Sequence, residues 1–167
     1  MPDVESRGVL PGTMVAPERL FAEARMSIYA MGSSLLKQQK ILADYLQMRP
    51  TYMNVYITVG LASVQRFVRK PDLDPEYRGV KPLPAEALGW ISRRAIASAT
   101  GLPRETVRRI VSDLIASGHV REVGRHGITT RVGELVPEGT QNTILALAME
   151  ISRLVDELAR LGVIVPR

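Results

Sequence analysis

Apolar residues recur at helical spacing near both ends of the chain. The first pattern predicts one long helix from Pro17 to Arg49, with proline in its first turn and a bend at residues 32–34. Its apolar seam is Phe21, Ala24, Ile28, Met31, Leu35, Leu42 and Tyr45. Arg49 precedes a proline, which favours a stop, and a second helix is predicted over 51–68. The start of the chain, residues 1–16, is expected to be a loose leader.

The last apolar pattern predicts a helix over 140–161, ended by Gly162. Its seam follows the alternating three- and four-residue spacing of heptad positions a and d: Ile144, Leu147, Ile151, Leu154, Leu158 and Leu161. Two interpretations remain open. The seams of the terminal helices could form a homodimer interface, or they could cover each other inside one chain. The first is favoured, and residues 137–167 are predicted to be a dimerisation helix.

The middle of the chain carries a strong local signature, SRRAIASATGLPRETVRR. Ser92 is a good N-cap for a short helix, Gly101 suits a left-handed stop, and Pro103 suits the start of a second helix. That second helix has a single apolar face, made of Val107, Ile110, Val111, Leu114 and Ile115. Two helices joined by a three-residue turn that begins with glycine form a helix-turn-helix, and the small residue Ala97 allows them to cross closely.

A β-hairpin is predicted directly after this motif. The stretch GHVREVGRHGITTRV, residues 118–132, places two β-rich runs on either side of a turn flanked by glycines. A helix-turn-helix followed by such a hairpin is a winged helix. The fold class predicted is therefore mainly α with a small β-hairpin wing, flanked by long N- and C-terminal helices. The winged helix spans 85–136 and follows a helical region over 17–68 and a proline-rich loop over 69–84.

Charge is concentrated in this same segment. Between Ser92 and Arg131 there are eight arginines and three acidic residues, a net charge of +5, while the rest of the chain holds fourteen bases and fourteen acids. Arginine presents a planar fork that matches phosphate oxygens and the major-groove edge of guanine. A basic patch in an otherwise balanced protein is typical of nucleic-acid binding, so double-stranded DNA is the expected partner.

Residues 92–132 resemble the winged helix-turn-helix domain of bacterial transcriptional regulators. The stretch IASATGLPRETVRRIVSDLIASGHV carries the resemblance, and the order of elements is similar to that of the multiple-antibiotic-resistance-regulator (MarR) family. The resemblance implies a sequence-specific, DNA-binding transcriptional regulator. Its recognition helix, 103–117, would enter the major groove, and its wing, 119–133, would lie on the backbone or minor groove.

The candidate DNA-binding residues follow from these positions. They are Ser92, Arg93, Arg94, Arg104, Glu105, Thr106, Arg108, Arg109, Ser112, Arg125, His126 and Arg131. Arg104 and Arg108 are predicted to reach base edges. The N-terminus of the first motif helix is predicted to touch phosphates through Ser92, Arg93 and Arg94, and the wing contacts are expected from Arg125 and His126. Glu105 is expected to accept from cytosine or to orient an arginine, either Arg108 or Arg109, and also to form a simple surface pair with Arg109.

Other functions are less favoured by the sequence. A winged helix can serve as a protein-interaction or assembly module without specific DNA binding, and this is the alternative. With no cysteine, only two histidines and no catalytic motif, neither a metal site nor an enzyme is expected, and no cofactor is implied. Methionines and tyrosines of the first two helices could line a small-molecule effector pocket, but a plain core is the default.

The chain is also expected to be cytoplasmic and to lack a membrane segment. Its first residues carry Asp3 and Glu5 and no apolar stretch, unlike a secretory signal. The longest uncharged segment, residues 50–65, is shorter than a bilayer requires.

Overall fold

The computed structural model describes residues 12–69, 75–79, 81, 83–125, 127–131 and 140–167. The fold is mainly helical with small antiparallel sheets, as the sequence predicts. The chain divides into two compact units, one formed by residues 1–41 and 144–167 and the other by residues 42–143. None of the helices in the described part of the chain is both long and apolar enough to cross a bilayer.

The unit formed by residues 42–143 contains the winged helix. Helix α3 (Pro50–Val68) precedes the two motif helices, α4 (Arg93–Thr100) and α5 (Arg104–Ala116). The hairpin follows as β3 (Val120–Val123) and β4 (Gly127–Thr130). Helices α4 and α5 and the two hairpin strands confirm the sequence prediction, except that Pro103 caps α5 rather than starting it.

A third strand joins the hairpin and was not predicted. Strand β2 (Ile91–Ser92) pairs antiparallel with β4, so that Ile91 lies opposite Ile128 and the sheet order is β2-β4-β3. The pairing of β3 with β4 sets Val123 opposite Gly127 at the closed end of the hairpin. Strand β2 runs directly into α4, and the wing is thereby fixed to the base of the helix-turn-helix.

One hydrophobic core holds these elements together. It joins Val55, Tyr56 and Val59 of α3, Ile96 and Ala97 of α4, Val107, Ile110, Val111 and Leu114 of α5, and Val120 and Ile128 of the wing. Each helix presents one apolar face, and the faces meet with almost no exposed area. Helix α5 is therefore held along its inner face by α3, α4 and the hairpin.

A buried polar cluster fixes the wing strand to α3. The Thr129 hydroxyl donates to the Gly89 carbonyl at 2.7 Å and lies 3.1 Å from the Ser63 hydroxyl. The backbone N–H of Thr130 donates to Ser63 Oγ at 3.2 Å. Buried polar atoms that find partners in this way hold a single arrangement, because breaking it leaves them unpaired in the core.

The other unit is built from both ends of the chain. Strand β1 (Thr13–Val15) pairs antiparallel with β5 (Ile164–Pro166). Part of the expected loose leader is therefore a strand. Between the strands lie α1 (Pro17–Ala22), α2 (Ala24–Leu46) and α6 (Thr140–Arg160), and Gly162 ends α6 in the left-handed conformation at φ 70°, as predicted.

The predicted first helix is interrupted, but at another place. The break falls at Glu23, between α1 and α2, whereas α2 continues through residues 32–34, where a bend was expected. There the Ser34 hydroxyl is buried and accepts a hydrogen bond from Gln38 Nε2 at 3.2 Å. Helix α2 ends at Leu46, before the predicted Arg49, and Gln47 takes a positive φ of 52°.

Helix α2 buries small residues rather than its apolar seam. Its buried residues are Ser27, Ala30 and Ser34, whereas Ile28 and Leu35 of the predicted seam are 67% and 56% exposed. Ala30 lies in a small core with Leu158 and Val163, against which Leu20, Leu154, Leu161 and Ile164 pack. The seam spacing was predicted, but within the described chain the α2 seam is largely uncovered.

Glu150, which is largely buried, forms an ion pair with the partly exposed Arg153 in this unit. Its carboxylate accepts two hydrogen bonds from the Arg153 guanidinium, at 2.6 and 3.0 Å, and one from Ser34 of α2. The bond from Arg153 is the largest of the causes that lower the pKa of Glu150 to about 2.

Replacing Glu150 with glutamine is expected to lower the melting temperature at neutral pH. A depressed pKa in the folded state stabilises the fold above the unfolded pKa near 4.5, and this contribution is lost as pH falls toward 2. The difference in melting temperature between wild type and Glu150→Gln should therefore shrink steadily from pH 4.5 to pH 2. A difference that stays constant across this range would contradict the assignment. Circular dichroism melts at stepped pH provide the measurement.

Candidate nucleic-acid interface

The turn between α4 and α5 sets the direction in which α5 projects. The Ser92 hydroxyl accepts from the Ala95 N–H at 3.2 Å, which confirms the predicted N-cap of α4. Gly101 adopts φ 70°, a conformation that favours glycine, and Leu102 packs against the core. Pro103 then leads into α5 with a fixed φ of −55°. Each part of the turn is therefore specified by a local residue, and together these residues set the direction in which α5 begins.

The face of α5 opposite the core is polar and mostly basic. Glu105, Arg108, Arg109 and Ser112 lie on this face and are exposed, as predicted. Arg104 is exposed at the first residue of the helix, while Thr106 is half-buried at the edge. At about 100° per residue, Arg109 lies close to the centre of this outward face. We call these five exposed residues the α5 outer face.

Arg108 is held by its neighbour Glu105. Its Nε and Nη2 atoms donate to the Glu105 carboxylate at 2.9 and 2.6 Å, a two-point pairing at i, i+3 spacing. The hydrogen bond lowers the pKa of Glu105 and raises that of Arg108. Glu105 therefore pairs with Arg108, one of the two arginines that it was predicted to orient, whereas the predicted surface pair with Arg109 does not form within 4.0 Å. The Ser112 hydroxyl is used within the helix, where it donates to the Arg108 carbonyl at 2.9 Å.

Arg104 and Arg109, unlike Arg108, are not held by an acidic neighbour in the described chain. Neither has an acidic partner within 4.0 Å among the residues that the structure describes. The same holds for Arg94 on α4, which is exposed. Their guanidinium groups therefore present their donors to solvent, where a ligand can receive them.

Arg93, by contrast, ties α4 to the wing. Its Nη2 atom donates to Glu122 of β3 at 2.5 Å, and its side chain is only 30% exposed. Arg93 and Ser92 were predicted to contact phosphates. The structure engages Arg93 in a bridge to β3 and the Ser92 hydroxyl in the α4 cap. The bridge could not be seen in the sequence, because Glu122 is 29 residues away.

The wing presents one described arginine at its tip. Arg125 is exposed in the turn after Gly124, while His126 lies outside the described residues. Behind the tip, the Trp90 ring lies so close to Gly127 that an added Cβ would come within 3.1 Å of it. Arg131 is exposed, but its guanidinium lies over Gly118 at the end of α5, away from the tip, and residues 132 and 133 of the predicted wing lie outside the described residues.

A surface cavity of about 430 Å³ borders the C-terminal part of α5. It is lined by Gln47, Met48, Arg49, Tyr52, Asp113, Leu114, Ser117 and His119. Within it, the Tyr52 hydroxyl donates to Asp113 Oδ2 at 2.5 Å, and this bond raises the pKa of Tyr52. Met48 and Tyr52 are the methionine and tyrosine of the first two predicted helices that line this cavity. Of the others, Met53 and Tyr56 are core residues, and Met26, Tyr29 and Met31 are exposed.

The predicted dimer seam of α6 divides into two parts. Ile144 and Ile151 are about half exposed and Leu147 is partly buried. Leu158 is buried, and Leu154 and Leu161 pack around it in the chain's own core. Leu158 is therefore used by the chain's own core and Leu154 and Leu161 are partly covered there, which corrects the prediction for that half of the seam.

Within the described ranges, no three His, Asp or Glu side chains gather as ligands for a metal ion. Comparison with known proteins found no family model, no curated protein and no solved structure with a significant match to this chain.

Proposed function

We propose that the protein is a cytoplasmic regulator of transcription that binds specific sequences of double-stranded DNA. Helix α5 enters the major groove with its outer face toward the bases, and the Arg125 tip of the wing lies on the backbone or minor groove. Arg94 contacts a phosphate.

One observation carries this proposal. Arg104 and Arg109 project from a helix whose inner face packs into the core, and neither forms an ion pair within 4.0 Å in the described chain. Base reading requires donors held at fixed positions on a rigid element, because a mobile side chain gains little discrimination between bases. A rigid helix with a free arginine near the centre of its outward face meets that requirement.

The alternative is a winged helix that assembles with another protein. The centre of a protein interface is usually depleted of charge and enriched in aromatic residues. The α5 outer face has the opposite composition, with three arginines, one glutamate and one serine. Its chemistry therefore favours a phosphate-rich partner.

Selection of bound fragments from a random duplex library tests the proposal. We expect enrichment of a short common sequence, with affinity at least about a thousandfold above that for random duplex at the same salt concentration. The logarithm of the binding constant should fall linearly with the logarithm of salt concentration, by about 0.9 for each phosphate neutralised. Absence of enrichment, with equal affinity for all duplexes, would exclude specific reading.

Replacing Glu105 with glutamine is expected to tighten binding to random duplex by about three- to tenfold, because it releases Arg108 for phosphate. Fluorescence anisotropy at several salt concentrations measures both the affinity and the salt slope, which should steepen by about 0.9.

The double variant Glu105→Gln with Arg108→Ala separates this cause from a simple change in charge. In the absence of Arg108, the Glu105→Gln change should raise the affinity for random duplex only slightly. An equal gain with and without Arg108 would contradict the role given to the pair.

A further inference from the structure

Arg109 has one acidic residue a turn before it on α5 and another a turn after it. Glu105 stands at i−4 and Asp113 at i+4, and both spacings bring opposite charges together on a helix surface. By spacing alone, either carboxylate could pair with Arg109. In the described part of the chain neither comes within 4.0 Å of it, because each carboxylate accepts hydrogen bonds from another residue.

Glu105 is held by Arg108, and Asp113 is held by Tyr52 of helix α3. The Tyr52 hydroxyl donates to Asp113 Oδ2 at 2.5 Å, and this bond is the largest of the causes that raise the pKa of Tyr52. The positive charge of Arg109 opposes that rise, so its guanidinium lies near the same hydroxyl. The Asp113 carboxylate therefore lies between a donor on α3 and an arginine on its own helix, and it binds the donor on α3.

The position of the Tyr52 hydroxyl is set by the core. Tyr52 lies in the first turn of α3, which begins at Pro50, and its ring packs against the core that α3 shares with α4 and α5. A tyrosine placed in this way buries its apolar ring and presents its hydroxyl at a defined point. That point is beside Asp113, in the last turn of α5.

Two physical effects favour the bond between Asp113 and Tyr52 over an ion pair between Asp113 and Arg109. A hydrogen bond to a charged group contributes more to stability than an ion pair that is exposed to solvent, and both Arg109 and Asp113 are exposed. An acid four residues after a base is also the less favourable order on a helix, because the acid lies toward the negative end of the helix dipole. A donor from another helix offsets this unfavourable position of Asp113.

We propose that Tyr52 is a positioning residue for DNA recognition, which holds the Asp113 carboxylate toward α3 and so keeps Arg109 available to a base edge. This inference rests on the DNA binding proposed above, and it extends the determinants of specificity from α5 to α3. Loss of the Tyr52 hydroxyl releases the carboxylate to pair with Arg109. A base can then bind Arg109 only after that ion pair is broken.

Two variants break the same hydrogen bond and separate this role from a purely structural one. Tyr52→Phe removes the donor and leaves the carboxylate beside Arg109, whereas Asp113→Ala removes the carboxylate itself. A bond that only supported α5 would make both variants bind DNA more weakly, and to the same extent. A bond that restrains the carboxylate makes only Tyr52→Phe bind more weakly.

We expect Tyr52→Phe to weaken binding to the selected duplex by about two- to threefold, the scale of an exposed ion pair. Asp113→Ala should bind at least as tightly as wild type, and the double variant should match Asp113→Ala. Tyr29→Phe, at an exposed tyrosine of α2 in the other unit, is the matched control and should leave the affinity unchanged. Competition measured by fluorescence anisotropy at one salt concentration gives the four affinities.

A second measurement needs no DNA. Pairing of a guanidinium slows the exchange of its Nε–H proton with water, and nuclear magnetic resonance of the free protein follows this exchange for Arg109. We expect slower exchange in Tyr52→Phe than in wild type, and exchange at the wild-type rate in the double variant.

Three results would overturn the proposal. Equal losses of affinity in Tyr52→Phe and Asp113→Ala would show a structural role alone. An Arg109 exchange rate that does not change in Tyr52→Phe would show that the freed carboxylate goes elsewhere, and Arg49, whose charge also acts on the Tyr52 hydroxyl, is the nearest alternative on α3. A chain that selects no duplex would overturn both this proposal and the proposed function, whereas selection with unchanged exchange would overturn this proposal alone.

Discussion

Replacing Arg109 with alanine is expected to weaken binding to the selected DNA sequence by about 5- to 150-fold, which corresponds to about 1–3 kcal/mol. Arg109 lies near the centre of the α5 outer face and has no acidic partner within 4.0 Å among the described residues. Removing it takes away a base contact on the selected sequence. On random duplex only the weaker electrostatic attraction is lost, so discrimination between the two sequences falls.

Two further variants define what this result means. Arg160→Ala removes the same charge from α6, outside the winged helix. It should change the affinity for the selected sequence and the affinity for random duplex by no more than about twofold. Arg125→Ala at the wing tip should weaken binding to selected and random duplex equally, since backbone contacts carry no sequence information. Equal losses on both duplexes for Arg109→Ala would show that Arg109 does not read bases.

Replacing Ile110 with alanine is expected to lower the free energy of unfolding of the winged helix by about 2–5 kcal/mol. Ile110 is 1% exposed at the centre of the α3, α4 and α5 core, so the change removes buried apolar surface and leaves a cavity. Ile115, on the same helix, is only partly buried against that core and offers a matched control. Ile115→Ala should lower the free energy of unfolding by clearly less than Ile110→Ala does.

The chain supplies its own probe for this measurement. Its single tryptophan, Trp90, lies in the same compact unit and contacts the wing at Gly127. Urea unfolding followed by tryptophan fluorescence therefore reports on the winged helix rather than on the terminal unit. Similar losses of stability for the two isoleucine variants would contradict the core described for α5.

The helix-turn-helix could be predicted because each of its signals is local. A serine at the N-cap, a glycine in the left-handed turn and a proline before α5 act within a few residues, and the apolar period of α5 identifies its inner face. The hairpin follows for the same reason, since glycines mark its closed end. Features that depend on distant residues were not predictable in this way.

Strand β2 has only two residues and exists because β4 pairs with it from 35 or more positions away. Strand β1 likewise forms because the last residues of the chain return to it.

The seams of the terminal helices show a different limit of prediction from sequence. Heptad spacing identifies an apolar stripe on a helix, but it does not say what covers that stripe. Within the described chain α2 lies against α6 at the small residues Ala30 and Ser34.

The arginine that pairs with Glu105 also could not be predicted from the sequence. Glu105 has arginines at both i+3 and i+4, and either spacing brings charges together on a helix. The structure pairs Glu105 with Arg108, and Arg109 has no acidic partner within 4.0 Å in the described part of the chain. The candidate base-reading pair thereby changes from Arg104 and Arg108, predicted from sequence, to Arg104 and Arg109.

The position of α5 on DNA is tested most directly by cleavage from a tethered group. The chain has no cysteine, so Ser112→Cys on the α5 outer face and Leu61→Cys on the exposed side of α3 each accept one DNA-cleaving iron chelate. We expect the chelate at position 112 to cut both strands within a few base pairs inside the selected sequence, and the chelate at 61 to cut weakly or not at all. Strong cutting from 61, with none from 112, would contradict the placement of the α5 outer face in the major groove.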